Sequence, residues 1–320
     1  MGRVVIRKQL RRGQVLEFFG RQPPCVVAME ACGGAHFWGR ELTKLGHEVR
    51  LIPPAYVKPH VEAPEERCRR RGSQSREAAQ RPTMRLKAVK SEESQAAAVI
   101  FRTRDLLVWQ RTQLINALRG HMAEFGLVVP QGAARAKELI AMVADPDALL
   151  PHAARSALHA LVSALDQLEV EIRSLEVEIV RRAKDDEVAR RLMTIPGVGP
   201  LIATALVALA PPPETFWRGR DFAAWLGLTP RQHSTGGKQR LGATTKMGER
   251  SLRRLLIIGA NSVVIKRAVH RQAQPGTWLG GLLARKPPML VRVALANKMA
   301  RVVWALMAKG EDYRAPAVAA

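Results

Sequence analysis

A heptad pattern in the middle of the chain constrains the fold more than any other feature. In LHALVSALDQLEVEIRSLEVEI the apolar residues alternate spacings of three and four over three heptads. These residues are Leu158, Leu161, Leu165, Leu168, Ile172, Leu175 and Ile179. Such an a/d seam requires a long helix whose apolar stripe packs against a second helix. We therefore predict that residues 96–190 form a helical, coiled-coil region.

The helix that covers this seam can come from a second chain or from the same chain. The acidic residues beside the seam are Glu169, Glu171, Glu176 and Glu178. Within the chain, the segment RTRDLLVWQRTQLINALRGHMAEF at 102–125 is the natural partner. We favour a homo-oligomer formed through this coiled coil, because an uninterrupted seam is the pattern that two identical helices need.

Residues 1–95 alternate between strand and helix patterns. VVIRKQL, CVVAME and HEVRLIPP predict strands, CVVAME a buried one, whereas QVLEFFGRQ and AHFWGRELTKLG predict helices. Strands that alternate with helices favour a layered α/β sheet. Glu30 ends the CVVAME strand and precedes a glycine turn, a place from which a carboxylate can reach into a cleft. An ion pair with one of the many arginines explains Glu30 equally well.

Residues 191–320 begin with a turn between two helical patterns. In IPGVGP, Gly197 and Gly199 resemble the hairpin of a helix-hairpin-helix motif. Glycines there let the backbone approach a phosphate, and the helix that follows presents free N–H groups. An ordinary helix–helix turn is the alternative, and we favour contact with the DNA backbone.

The segment QHSTGGKQRLGATTKMGERSLRR combines hydroxyl groups, glycines and cations. Ser234 and Thr235 precede Gly236 and Gly237, and the basic residues that follow are Lys238, Arg240, Lys246, Arg250, Arg253 and Arg254. A hydroxyl among cations is what attack on a phosphodiester needs. No general base is obvious in this segment, although His233 is adjacent. From the residues alone, a phosphate-binding loop without chemistry is the simpler interpretation.

Basic residues strongly outnumber acidic ones. Lys and Arg number 51 against 28 Asp and Glu, which gives a net charge of +23. This surplus indicates a polyanionic partner, most simply nucleic acid, although a merely soluble basic protein shows it too. Three cysteines without paired spacing indicate a reducing compartment, and the apolar runs are too short to cross a bilayer. We expect a cytoplasmic, nucleoid-associated protein that does not contact membranes.

Several blocks of the chain together resemble one family. They are VVAMEACGGAHFWGRELTKLGHEVRLIPPAYVKPH, QRPTMR, VKSEE, RTRDLLVWQRTQLINALRGHMAEFG, IPGVGPLIATAL and WLGLTPRQHSTGGKQRLGATTKMGERSLRRLL. The family is that of the Piv-type insertion-sequence transposases, regarded as bridge-RNA-guided DNA recombinases. The resemblance covers nearly the whole chain.

The resemblance implies a fold, a chemistry and partners. The fold is a ribonuclease-H-like (RuvC-like) domain at residues 1–95, a coiled-coil helical region at 96–190 and a helical C-terminal transposase domain with a helix-hairpin-helix at 191–320. The active site of the family combines an Asp-Glu-Asp-Asp set, which binds Mg²⁺, with a serine that forms a covalent link to DNA. A structured guide RNA is the expected second partner.

Only part of this site carries over to the chain. Glu30 matches the glutamate of the MEACG motif and is assigned to catalysis and to the metal, and it is the only carboxylate of the set that carries over. Ser234 best matches the serine of the SSGGK-like motif, with Thr235 as the alternative. The first aspartate of the family lies on an opening strand, in a motif like GVDLAK, so we interpret the chain as N-terminally truncated. Residues 1–104 contain no aspartate.

The remaining two aspartates belong in a block like KNDAADAEA, whose place is taken by the arginine-rich segment Val61–Gln80. Residues 62–74 can be written in codons that, one base later, read RHRKNDAADAEA. A local frameshift therefore explains how an atypical segment lies between intact motifs. One glutamate among arginines cannot supply the hard oxygen ligands that Mg²⁺ requires.

The sequence thus predicts a DNA-binding insertion-sequence transposase with an impaired carboxylate site. The alternative is a non-catalytic nucleic-acid-binding remnant of such a transposase. A host repair protein built on a helix-hairpin-helix fits the STGGK segment less well. Besides Glu30 and Ser234, the predicted DNA-binding residues are Gly197, Gly199, Lys238, Arg240, Lys246, Arg250, Arg253 and Arg254.

Overall fold

The computed structural model describes residues 5–54, 86–132, 135–269 and 277–315. The chain divides into two compact units, Met1–Gln95 and Ala96–Ala320. The expected boundary near residue 190 falls inside the second unit, and the three-domain organisation stays a prediction. The segment Val61–Gln80, which carries the frameshift interpretation, lies outside the described residues.

The first unit contains a small α/β arrangement. Its elements are α1 (Val15–Gly20), β1 (Val26–Glu30), α2 (Ala35–Lys44) and β2 (Glu48–Ile52). The two strands pair in parallel, in a register that places Glu30 beside Ile52. Buried His47 connects α1 to this sheet, because its ring lies 3.2 Å from the N–H of Cys25 and 3.0 Å from the carbonyl oxygen of Phe19.

These elements confirm most of the local expectations for residues 1–95. The strand expected at VVIRKQL is wrong, because residues 5–10 have no regular structure. The strand at CVVAME is confirmed, but only Val27 in β1 is buried, and Val26 is 48% exposed. Within the described residues β1 has one neighbouring strand, so much of it stays accessible.

Helices dominate the second unit and the chain segment that leads into it. They are α3 (Glu92–Ala123), α4 (Ala136–Ala144), α5 (His152–Asp185), α6 (Glu187–Met193), α7 (Pro200–Leu209), α8 (Gly219–Trp225), α9 (Arg250–Val269), α10 (Trp278–Leu283) and α11 (Pro288–Lys309). Strands β3 (Pro230–Gln232) and β4 (Leu241–Thr244) form an antiparallel hairpin between α8 and α9. The mixed fold class, α/β followed by mostly α, is confirmed at this coarse level.

The heptad seam lies on α5, and the chain itself covers half of it. The buried residues of the seam, each 2% or 3% exposed, are Leu158, Leu165, Ile172 and Ile179. The alternate positions Leu161, Leu168 and Leu175 are half-buried. Arg104 and Arg111 of α3 pair with Glu176 and Glu169 of α5, an order that makes the two helices antiparallel. The intramolecular partner expected at 102–125 therefore contacts α5, and oligomerisation stays a prediction.

The main core of the second unit surrounds α7. This helix is apolar on all sides, and Ala203, Ala205 and Leu206 are fully buried. Residues from α6, α8, α9 and α11 complete the same cluster. Among the described residues, no helix is both long and apolar enough to cross a membrane.

Candidate nucleic-acid interface

Glu30 occupies the place that the sequence predicted for it, at the carboxyl end of β1. The backbone turns immediately after it: Cys32 N–H donates to the carbonyl oxygen of Glu30, and Gly34, which directly precedes α2, has a φ of 83°. This left-handed conformation favours glycine and explains the turn. Glu30 belongs to the first unit, whereas every other predicted site residue belongs to the second.

Ser234 lies in a tight loop between β3 and β4. Thr235 and Lys238 face each other across the turn, and Lys238 N–H donates to the carbonyl oxygen of Thr235 at 3.0 Å. The two residues between them, Gly236 and Gly237, have φ values of 56° and 79°. Positive φ at both central positions defines a type I′ turn, the turn that joins twisted strands most tightly. The GG pair is therefore a hairpin signal in this chain.

The hydroxyl of Ser234 is exposed but held by two hydrogen bonds. It donates to Gln232 Oε1 at 3.0 Å and accepts from Arg240 N–H at 3.0 Å. The ring of His233 packs over Gly242 of β4. His233 is adjacent to Ser234 in sequence, but among the described residues the hydrogen-bond partners of the Ser234 hydroxyl are Gln232 and Arg240.

The cations near the hairpin fall into two groups. Lys238, Arg240, Lys246 and Arg250 are exposed, and Lys246 adopts a φ of 53°. Arg253 instead donates to the carbonyl oxygens of Leu226 and Met247, at 3.0 Å and 2.8 Å, and Arg254 pairs with Asp105 of α3 at 2.5 Å. Arg253 thus holds the loop before α9 against the end of α8.

The IPGVGP turn makes a close backbone contact inside the protein. Gly197 has a φ of 86°, and a Cβ atom there would lie 2.6 Å from the carbonyl oxygen of Gly259 in α9. A Cβ on Gly259 would in turn lie 2.3 Å from the carbonyl oxygen of Gly197. Gly197 is therefore required by packing. Gly199 precedes α7 with extended backbone and open space around it, so its contact with DNA stays a prediction.

The donor set for a metal is incomplete in the part of the chain that the structure describes. There, no three His, Cys, Asp or Glu side chains cluster as metal ligands. Residues 1–104 contain no aspartate, so no aspartate of the first unit could add to Glu30. Glu30 alone does not fit the ligand requirement of Mg²⁺.

Sequence reasoning did not find an open groove of about 1010 Å³ in the second unit. Pro230 and Thr244 of the hairpin form part of its wall, together with residues of α8, α10 and α11. The signal that could have indicated it is WRGR at 217–220, a tryptophan beside two arginines, but Trp278 and Lys298 join it only through the fold.

Comparison with known proteins assigns the chain to a family. Residues 189–274 match the family described as Transposase IS116/IS110/IS902. A probable family 20 transposase of Pseudomonas aeruginosa is 47% identical over 313 residues, which are 97% of this chain and 92% of that protein. The chain belongs to the IS116/IS110/IS902 family of insertion-sequence transposases.

Further relatives of this transposase extend over the same length. A putative transposase of Sinorhizobium fredii is 43% identical and matches 97% of this chain and 80% of its own length. The transposase for insertion sequence element IS1328 of Yersinia enterocolitica is 37% identical and matches 97% of this chain and 91% of its own length. The resemblance to insertion-sequence transposases is confirmed, and the family model spans the IPGVGP turn, the β3–β4 hairpin and α9.

Proposed function

We propose that this transposase binds DNA with the exposed surface around the β3–β4 hairpin and that Ser234 is its nucleophile for strand cleavage and recombination. The observation that carries the proposal is the hydroxyl of Ser234, which is exposed to a substrate yet fixed by Gln232 and Arg240. A nucleophile must be held in position before it can attack, and the type I′ turn supplies that rigidity.

The attack would join Ser234 Oγ to a backbone phosphorus atom of DNA. The bond from phosphorus to one deoxyribose oxygen breaks, and that oxygen leaves with a proton from solvent. The hydroxyl proton of Ser234, which now points to Gln232, passes to water. Lys238 and Arg240 are exposed and both follow the turn on the β4 side of the hairpin, where cations neutralise charge on the non-bridging oxygens.

The proposal also includes a defect in the carboxylate part of the site. The resemblance names Mg²⁺ as the cofactor and a structured guide RNA as a second partner. Since Glu30 alone does not fit Mg²⁺, we propose that metal-dependent cleavage is impaired in this chain. Ser234, Lys238 and Arg240 would still contact DNA, because their positions depend on the second unit alone.

A non-catalytic nucleic-acid-binding protein is the second candidate function. The role of Arg253 favours this candidate. Arg253 holds the loop before α9 through two hydrogen bonds to backbone carbonyl oxygens, and this maintains the shape of a binding surface without requiring a reaction. The two candidates share the same DNA-binding surface and differ in whether a covalent protein–DNA adduct forms.

Binding to duplex DNA over a range of salt concentrations tests the shared part of the proposal. The logarithm of the affinity should fall linearly with the logarithm of the salt concentration, with a slope of about −0.9 for each phosphate contacted. The double variant Lys238→Gln/Arg240→Gln should reduce the slope by about 1.8 in magnitude. The matched control is Arg102→Gln/Arg173→Gln, two exposed arginines on α3 and α5, which should leave the slope unchanged.

Two results would contradict the proposal. An affinity that does not change with salt excludes binding through phosphates. A hairpin variant that keeps the wild-type slope, while the control pair lowers it, places the interface on the helical region.

A further inference from the structure

The groove beside the hairpin has no role in the function proposed so far. Its wall is built by the start of α8, the base of the hairpin, Trp278 of α10 and one face of α11. Asn297 of α11 donates to the carbonyl oxygen of Leu228 at 3.1 Å, so the segment before β3 is tied to α11. The hairpin and the groove are therefore parts of one framework.

Positive charge dominates the described part of this groove. Its basic residues are Arg218, Arg220, Lys298 and Arg301, and no carboxylate is among the described residues that line it. None of these four forms an ion pair with a described carboxylate. Unpaired cations around a concave surface attract a polyanion, and a concave surface strengthens the field.

An accessible aromatic ring lies at the edge of these cations. Trp278 is 46% exposed, and Lys298 Nζ lies 4.4 Å from the centre of its ring. Thr277 caps α10 by accepting from Gly280 N–H at 3.1 Å, which fixes the helix on which Trp278 stands. An exposed ring among cations is the combination that binds unpaired nucleotides, because every nucleotide has a base whose face can stack on the ring and a phosphate that the cations can neutralise.

We propose that this groove binds a single-stranded segment of the DNA on which the transposase acts. The inference rests on the proposed function, and it adds that the DNA bound in the groove is single-stranded. A paired base inside a duplex offers no free face to Trp278, whereas an unpaired base does. Pro230 lines the groove and begins β3, four residues before Ser234, which at about 3.3 Å per residue places the hydroxyl within about 13 Å of it along the strand. DNA strands opened at the cleavage point would be held there.

Fluorescence-anisotropy titration with a labelled 12-nucleotide DNA, as a single strand and as a duplex, tests the proposal on the full chain. Trp278→Ala should weaken single-strand binding about tenfold and duplex binding much less. Trp278→Phe should restore most of the affinity, because a smaller ring still stacks. Arg301→Gln and Lys298→Gln should each lower the salt slope for the single strand by about 0.7.

Matched controls use exposed residues outside the groove. Trp109→Ala on α3, where the tryptophan is 60% exposed, and Arg102→Gln should leave single-strand binding unchanged. Circular dichroism should show the same helix content and melting temperature for Trp278→Phe as for the wild type, which keeps the comparison valid if Trp278→Ala is unstable.

The outcomes separate this inference from the proposed function. If the wild type binds duplex DNA with the expected salt slope but Trp278→Ala and Trp278→Phe bind single strands as the wild type does, the groove is not the site. If binding of a 12-nucleotide RNA depends on Trp278 and binding of the DNA strand does not, the groove binds RNA and the proposal is wrong. If the wild type binds no nucleic acid, the proposed function itself fails.

Discussion

Ser234 and Thr235 are neighbours, but the hairpin uses their positions differently. The hydroxyl of Ser234 is fixed by two hydrogen bonds, whereas the backbone of Thr235 forms one side of the turn. If any strand-transfer activity survives, Ser234→Ala should abolish the covalent protein–DNA adduct and leave DNA affinity within about threefold of the wild type. Denaturing gel electrophoresis of reactions with labelled DNA separates the covalent adduct from unreacted DNA, and a binding titration measures the affinity.

Thr235→Ala is the matched control for this prediction, because it removes a hydroxyl one position away in the same loop. The adduct should persist in this variant. An adduct that survives in Ser234→Ala and vanishes in Thr235→Ala would assign the nucleophile to Thr235.

Single residues also mark the limit of prediction from sequence. The pattern STGGK identified a loop among cations, and the structure gives that loop the turn its glycines require. The same reasoning grouped Arg253 with the DNA-binding cations. Its two acceptors, the carbonyl oxygens of Leu226 and Met247, become neighbours only when α8 and the loop before α9 pack together. A sequence reports the charge of an arginine and not the backbone that surrounds it.

At the scale of elements, the crossing of the IPGVGP turn with α9 depends on two glycines. Gly259→Ala should destabilise the second unit by about 2–4 kcal/mol, because its Cβ would overlap the backbone of Gly197. Gly199→Ala should change stability by less than about 0.5 kcal/mol, since nothing lies within 4 Å of the added atom. Thermal unfolding followed by circular dichroism compares the two.

The same pair of variants tests the predicted helix-hairpin-helix contact with DNA. If the backbone at Gly199 approaches a phosphate, Gly199→Ala should weaken duplex binding while the fold stays intact. A Gly199→Ala protein with wild-type stability and wild-type affinity would show that the turn serves packing alone.

Elements with a strong period were predictable, and so was the segment of the chain that contacts α5, but the sequence could not decide whether a second chain also covers the seam. The heptads of α5 and the amphipathic pattern of α2 produced the expected helices. Whether the seam of α5 faces a second chain was open, because identical apolar stripes serve both arrangements. The ion pairs Arg104–Glu176 and Arg111–Glu169 join α3 to α5. Such pairs depend on tertiary structure, so they cannot be predicted from a local sequence pattern.

At the scale of the whole molecule, charge is distributed unevenly. The acidic residues between 191 and 320 are few: Glu214, Asp221, Glu249, Glu311 and Asp312. The helices α3 and α5 hold acidic residues that pair with arginines, so much of their charge is balanced locally. The net positive charge that attracts DNA should therefore act mainly through the hairpin, α9 and the groove.

The last prediction concerns cleavage by the whole chain. Magnesium-dependent phosphoryl transfer needs several oxygen ligands around the metal, and Glu30 is the one carboxylate that we propose for this role from the resemblance to the family. The chain should therefore not nick supercoiled DNA in Mg²⁺, although it should bind that DNA at low salt. Agarose-gel assays of nicking beside binding titrations provide the comparison, and nicking that Glu30→Gln abolishes would show that the carboxylate site works.

The DNA that encodes residues 62–74 supplies an independent test. One base later it should read KNDAADAEA, which would place aspartates at the positions of Arg67 and Arg70. Any other reading refutes the frameshift, and the arginines of this segment then require a function of their own.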